Sequence, residues 1–331
     1  IVKDTIGPGL QFNDSGPVNL LNETNYGLNL MTDAEVFVDY AISDGIDPLY
    51  GSAYSDSEGK LALSLDLSFL NDGDLIMSFR AFDANGNPGE LVERTIKKDT
   101  VGPSAPTLNF KTRVGIKDAQ NFQLAGVTEP NLLVYCEADD GTTYLEGEVQ
   151  SDANGNFSWS KDLSVLSDGY IDLQVYAIDE YGNGGEDSDG RVLKSTVIPD
   201  VPEVVFPNLG LKNNSVDNLF KGITIAGNLV TYNICDQSNH QMSGVLTPDE
   251  NGKFNLDKID ISSLDDGMIT ISVGVCDEFG NDSSMVVEIL EKDTCQDNDN
   301  DDEGNIDDDS ENVDSSDNTD SGVITTISTS D

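Results

Sequence analysis

The sequence writes Asp-x-x-Gly-Asn at 83–87, 179–183 and 277–281, at nearly even spacing. Carboxylate, amide and backbone oxygens held about 2.3–2.6 Å from a common point are what a calcium ion selects. Three candidate sets follow. The first is Asp83, Asn85 and Asn87, with Asp99 one strand further on and able to return to the same end of the unit. The second is Asp179 and Asn183, with Ser195 standing where the first set has Asp99. The third is Asp277, Asn281 and Asp293. A cation at such a place, between two units, would clamp them end to end. A plainer reading stands beside this one. Asn-Gly and Asp-Gly supply the positive backbone dihedrals of tight hairpins, which makes "DANGN" the turn between two strands.

The run from 293 to 322, "DTCQDNDNDDEGNIDDDSENVDSSDNTDSG", has no basic residue. Asp297, Asp299, Asp301, Asp307 and Asp309 fall at alternate positions around Gly304. The run resembles the calcium-binding acidic repeats of the thrombospondin type 3 class. It departs from them in placing Gly304 behind Asp302 and Glu303, and in lacking their regularly spaced cysteines. The resemblance implies calcium ordering part of the tail. The composition alone implies a self-repelling acidic linker.

Other reactive side chains are few. Cys136, Cys235, Cys276 and Cys295 show no zinc-ligand spacing. Cys136 and Cys235 read as the same place in two copies of one strand. A cross-strand disulfide Cys235–Cys276 is geometrically open in a sandwich whose third and sixth strands are neighbours, with Cys295 as another partner for Cys276 or as a free thiol. His240 is the one histidine and lies in the polar stretch "DQSNHQMSG", with no triad signature around it. Trp159 alternates with polar neighbours and reads as core. Tyr50, Tyr54 and Tyr144 read as exposed. The reading is non-enzymatic.

Charge narrows the partners. The chain has 331 residues, with 17 Lys plus Arg against 62 Asp plus Glu, a net charge of −45. A phosphate backbone or an anionic lipid surface is repelled by such a field, so the chain is not expected to bind nucleic acid or enter a membrane. No run approaches the ~18 apolar residues a spanning helix needs. The opening "IVKDTIGPGL" reads as the end of a repeat cut from a longer exported polypeptide.

These residues belong to a repeat. Asp83 and Asp179 are 96 apart, Asp179 and Asp277 98 apart, and each follows a glycine by ten positions (Gly73, Gly169, Gly267). Upstream lie "DSEGK" (56–60), "DANGN" (152–156) and "DENGK" (249–253); downstream "KKDTVGPSAP" (97–106) is echoed by "LKSTVIPDVP" (193–202). In "YIDLQVYAID" (170–179), Ile171, Leu173, Val175 and Ala177 take one face. Leu75, Met77, Phe79 and Ala81 repeat the pattern in the first copy, and Ile269, Ile271, Val273 and Val275 in the third. A period of two marks strands against a core. Short strands with turn signals between them point to sandwiches. The expected fold is all-β: three tandem immunoglobulin-like β-sandwich domains at 9–99, 100–196 and 197–293, after the end of a preceding repeat at 1–8 and before the acidic tail at 294–331. Short proline-bearing boundaries make the series stiff.

An all-β unit with Asp-x-x-Gly-Asn, then a strand, then Lys-Asp-Thr-x-Gly-Pro resembles the bacterial immunoglobulin-like repeats of large surface adhesins and biofilm proteins. The resemblance covers most of 1–293. It implies an extracellular or cell-surface stalk, stiffened by calcium, whose partners are neighbouring repeats and, through a distal domain, a host glycan or matrix protein. Two other readings stay open: a carbohydrate- or protein-binding array, and accessory domains of a secreted enzyme.

Overall fold

The computed structural model describes residues 5–294, apart from 14 and 209. The chain is almost entirely strand, laid out as three two-sheet modules in series. In module 1, Gln11–Phe12, Tyr26–Met31 and Lys60–Leu65 form one sheet. Pro48–Tyr54, Phe37–Ser43, Gly73–Phe82 and Val92–Lys98, in that spatial order, form the other. Module 2 repeats the plan, with Thr107–Phe110, Phe122–Val127 and Asn156–Lys161 against Tyr144–Gln150, Leu133–Asp139, Gly169–Ile178 and Ser188–Lys194. The short Arg113–Val114 strand adds to the edge in parallel. Module 3 sets Glu203–Val205, Phe220–Ile223 and Lys253–Leu256 against Gln241–Leu246, Leu229–Asp236, Gly267–Cys276 and Val286–Lys292.

The period-two faces pack inward. Tyr26, Val38, Met77 and Phe79 anchor one core, Phe122, Trp159, Leu173 and Val175 a second, and Phe220, Ile234, Ile271 and Val273 a third. The clusters are separate, so each module carries its own hydrophobic stabilisation.

The Lys-Asp-Thr boundary motif has a packing role that its polarity conceals. Lys98, Lys194 and Lys292, spaced 96 and 98 apart, are buried. Lys98 Nζ donates to the carbonyls of Leu67 (3.0 Å) and Leu70 (2.7 Å) and pairs with Glu23 (2.9 Å). Lys194 donates to Leu166 O (2.8 Å) and Asp168 (2.9 Å), and Lys292 to Leu264 O (2.9 Å) and Asp266 (2.8 Å). The threonine two places on, Thr100, Thr196 or Thr294, donates its hydroxyl to Asp72, Asp168 or Asp266. Lysine and threonine together close the loop that leads into the long Gly73, Gly169 or Gly267 strand.

The upstream "DSEGK", "DANGN" and "DENGK" segments are turns of one kind. Asp152 Oδ1 accepts the N–H groups of Asn154 (2.8 Å) and Asn156 (2.9 Å), and Asp56 and Asp249 do the same in their modules. Gly155 has φ +84°, and a Cβ there would stand 2.0 Å from the Thr128 carbonyl oxygen. Gly155→Ala is therefore expected to cost module 2 about 2–3 kcal/mol in urea unfolding, with modules 1 and 3 unchanged.

Two sequence expectations are corrected here. Cys276 pairs across the sheet with Leu229, and Cys235 with Thr270. Six residues of register, roughly 20 Å, part the two cysteines, well beyond disulfide reach. Both are free thiols. Cys136 opposes Val175, the place Tyr232 takes opposite Val273, so Cys136 and Cys235 are not equivalent. Cys136 is enclosed, and burial pushes its thiol up to about 12. The acidic-tail candidates Asp297, Asp299, Asp301, Asp307 and Asp309, and Cys295, lie outside the described residues.

Candidate functional site: the module junctions

The Asp-x-x-Gly-Asn loops at 179–183 and 277–281 lie where modules meet. Each is first a hydrogen-bonded turn. Asp179 Oδ1 accepts the N–H groups of Tyr181 and Asn183, both at 2.8 Å, and its Oδ2 accepts Asn183 Nδ2 at 2.8 Å. Asp277 treats Phe279 and Asn281 in the same way, as Asp83 treats Asn85 and Asn87. The carboxylate stiffens the loop and fixes which way the asparagine amide faces.

The amide then crosses to the preceding module. Asn183 Oδ1 accepts the Leu20 N–H (2.9 Å), and its Nδ2 donates to the Asp99 carbonyl (3.0 Å). Asn281 Oδ1 accepts the Ile116 N–H (2.8 Å), and its Nδ2 donates to the Ser195 carbonyl (2.9 Å). Leu20 and Ile116 are equivalent. Each follows by two a residue that exchanges backbone bonds with its module's last strand, Val18 in module 1 and Val114 in module 2. Asn183 and Asn281 are 0% and 2% exposed, so each amide is enclosed with its partners. Around this shared latch the junctions differ. At the first, Asn19 Nδ2 donates to the Tyr181 carbonyl (2.7 Å). At the second, Lys117 pairs with Asp282 (2.7 Å) and Arg113 with Glu278 (3.2 Å). Gly115 lets the chain in there, since a Cβ would lie 2.5 Å from Asn281 Oδ1.

The candidate sets are assembled differently from the sequence expectation. Asp99 does not return to Asp83. The Val92–Lys98 strand runs from beside Phe79 to beside Gly73 and delivers Asp99 to the far end of module 1, more than about 30 Å from Asp83, where its carbonyl meets Asn183 of the next module. Asp293 is likewise carried away from Asp277 and Asn281, and it pairs with Lys212 (2.8 Å). The oxygens of Asp179 and Asp277 face N–H donors, and the amide nitrogens point into the junction. Leu20 and Ile116 were missed in the sequence because backbone N–H groups carry no residue signature, and Asn19 because its side-chain contact is not repeated in module 2, where Gly115 takes its place.

Among the described residues, the one group of three acidic, histidine or cysteine side chains with ligand atoms within 4.8 Å of one another is Asp236, His240 and Asp265. It anchors a turn. Asp236 Oδ2 accepts the Asp265 N–H (2.8 Å), as Asp44 accepts Asn71 N–H and Asp140 accepts Ser167 N–H in the other modules. His240 Nδ1 lies 2.9 Å from Asp236 and 3.6 Å from Asp265. The hydrogen bond and charge of Asp236, then the charge of Asp265, raise the His240 pKa. A raised folded pKa gives stability that is complete below the unfolded value of about 6.5 and is lost as pH rises through the folded value. Module 3 is expected to melt lower at pH 8 than at pH 6, and His240→Gln to remove that difference.

Tyr50 and Tyr54 are exposed on module 1 and Tyr144 on module 2, so they form no shared platform; Trp159 is core. No helix among the described residues is long and apolar enough to cross a membrane.

No protein-family model matches the chain, and no curated protein does. Solved structures are similar in fold. A tetra-tandem repeat from the extending region of a large adhesion protein is 22% identical, with 86% of this chain and 74% of that chain covered and a TM-score of 0.27. A structure concerned with host cell surface retention of a 1.5-MDa bacterial ice-binding adhesin is 15% identical (88% and 99% covered, TM-score 0.33). The FN1–FN3 domains of chicken CNTN1 are 11% identical (86% and 99% covered, TM-score 0.37). At these identities and scores none of the three bears on what this chain does. The chain itself is a serial array of immunoglobulin-like modules joined by a repeated amide latch.

Proposed function

We propose that the chain is a non-enzymatic structural spacer, a section of a bacterial surface adhesin that holds other parts of its polypeptide at a distance. One observation carries this reading. The same enclosed asparagine bridges the same two backbone groups at both junctions, so orientation is set by a device copied with the repeat. A tether needing only reach would be served by open linkers. The net charge of −45 fits this role, since it keeps neighbouring molecules apart and soluble in an extracellular setting. The adhesin and surface assignment rests on the repeat motifs quoted above.

In this reading stiffness comes from the protein's own hydrogen bonds, and calcium is not needed at the junctions. Small-angle scattering of the chain in millimolar calcium and in chelator is expected to give the same maximum dimension. A chain that shortens and broadens in chelator would return the junctions to calcium. Broad profiles in both conditions would remove the spacer reading.

A further inference from the structure

The outward faces of the larger sheets differ in charge. In module 2 the face carries Glu137, Asp139, Glu146, Glu148, Asp172 and Asp189, against two cations at strand positions, Arg191 and, on the short edge strand, Arg113. In module 1 acids and bases are mixed there: Asp39, Asp74 and Glu93 beside Arg80 and Lys97. In module 3, among the described residues, Glu291 at one end is the only charged outward position of the four strands. The rest is apolar or neutral. Val245 is 60% exposed, Met268 49%, Met285 50%, Val287 53% and Ile289 59%. Met285 lies flat over the sheet, its sulfur where a Cβ on Gly274 would come within 2.6 Å. Thr270 and Ser272 fill the centre.

In a chain of net charge −45 such a face needs a partner that is itself uncharged. A basic partner would be drawn to module 2. Two copies approaching by any acidic face bring carboxylates together; approaching by this one, they do not. We infer that this face pairs with the same face of a second copy of the chain, as an isologous sheet-on-sheet contact across a two-fold axis. Ile289 and Val287 from one copy would pack among Met268, Met285 and Val245 of the other. Four strands ~4.8 Å apart and about seven residues long give roughly 400 Å² in projection, which is small for a specific interface. The dimer is therefore weak, with a dissociation constant on the order of 100 µM, and it strengthens with salt as the repulsion between the rest of the two chains is screened.

Sedimentation equilibrium of the full chain, reduced, from about 10 µM to about 1 mM, tests this at low and high salt. The expected result is a monomer–dimer equilibrium that shifts toward dimer at high salt. Ile289→Glu and, on another strand, Val245→Glu should abolish it, while Ile76→Glu on the module 1 face leaves it intact; circular dichroism checks that each variant is folded. A monomer throughout, or a dimer that survives both module 3 substitutions, would overturn the proposal. So would a monomer that dimerises only after residues 295–331 are removed, since that would assign the face to the chain's own terminal segment.

Discussion

Lys194→Met is expected to destabilise module 2 by about 2–3 kcal/mol. Methionine keeps most of the apolar stem, so the loss is that of the ammonium. It leaves the Leu166 carbonyl without its enclosed donor and Asp168 without its cation. Removing one partner of a buried pair costs about 3–5 kcal/mol in general. The figure is lower here because Asp168 is about a third exposed and keeps the Thr196 N–H and hydroxyl. Urea unfolding of the chain measures it. Since the cores are separate, module 2 should unfold first in the variant while modules 1 and 3 hold their midpoints. A shift within about 0.5 kcal/mol, the range of an ordinary surface change, would mean that the lysine is a bystander to the loop it touches. Lys292→Met, with the same contacts in module 3, should behave alike.

That lysine also marks a limit of reading the sequence alone. The repeat and the long strand of each copy, at 73–82, 169–178 and 267–276, were legible, because a period of two against a core is written in residue types. The strand Tyr144–Gln150 was not. It is a sheet edge with charged residues outward and a glycine in its middle, so its apolar signal is thin. Lys98, Lys194 and Lys292 recur as regularly as the aspartates, yet a lysine in a boundary motif reads as solvated, and only the carbonyls of a loop some thirty residues earlier reveal its role. The asparagines were singled out for oxygen-donor chemistry, whereas their amides are seen bridging two modules. Strand direction carries Asp99 and Asp293 to the opposite ends of their modules from Asp83 and Asp277, which residue spacing alone does not reveal. The disulfide reading failed on register, which residue alternation cannot fix to within six positions.

Asn281→Ala is expected to uncouple modules 2 and 3 with little effect on the core of either. The substitution removes the acceptor for Ile116 N–H and the donor for Ser195 O, groups worth about 1–3 kcal/mol each when left enclosed and unpaired. The junction can avoid that cost by opening to water, so the loss is expected in orientation more than in melting. The two salt bridges at this junction will not hold it closed. Lys117 and Asp282 are 78% and 48% exposed, Arg113 and Glu278 53% and 61%, and exposed pairs contribute about 0–1 kcal/mol. Asn183→Ala should act likewise at the first junction, where Asn19 to Tyr181 is the hydrogen bond that remains. Limited proteolysis gives an independent reading: the 195–202 segment should become cleavable in Asn281→Ala and stay resistant in the wild type.

The most direct measurement is of backbone residual dipolar couplings across the whole chain in chelator, for the wild type and for Asn183→Ala with Asn281→Ala. The expected result is one alignment tensor fitting all three modules of the wild type and separate tensors for the modules of the double variant. Separate tensors in the wild type, or one shared tensor in the variant, would contradict the claim that two buried asparagines set the geometry of the series.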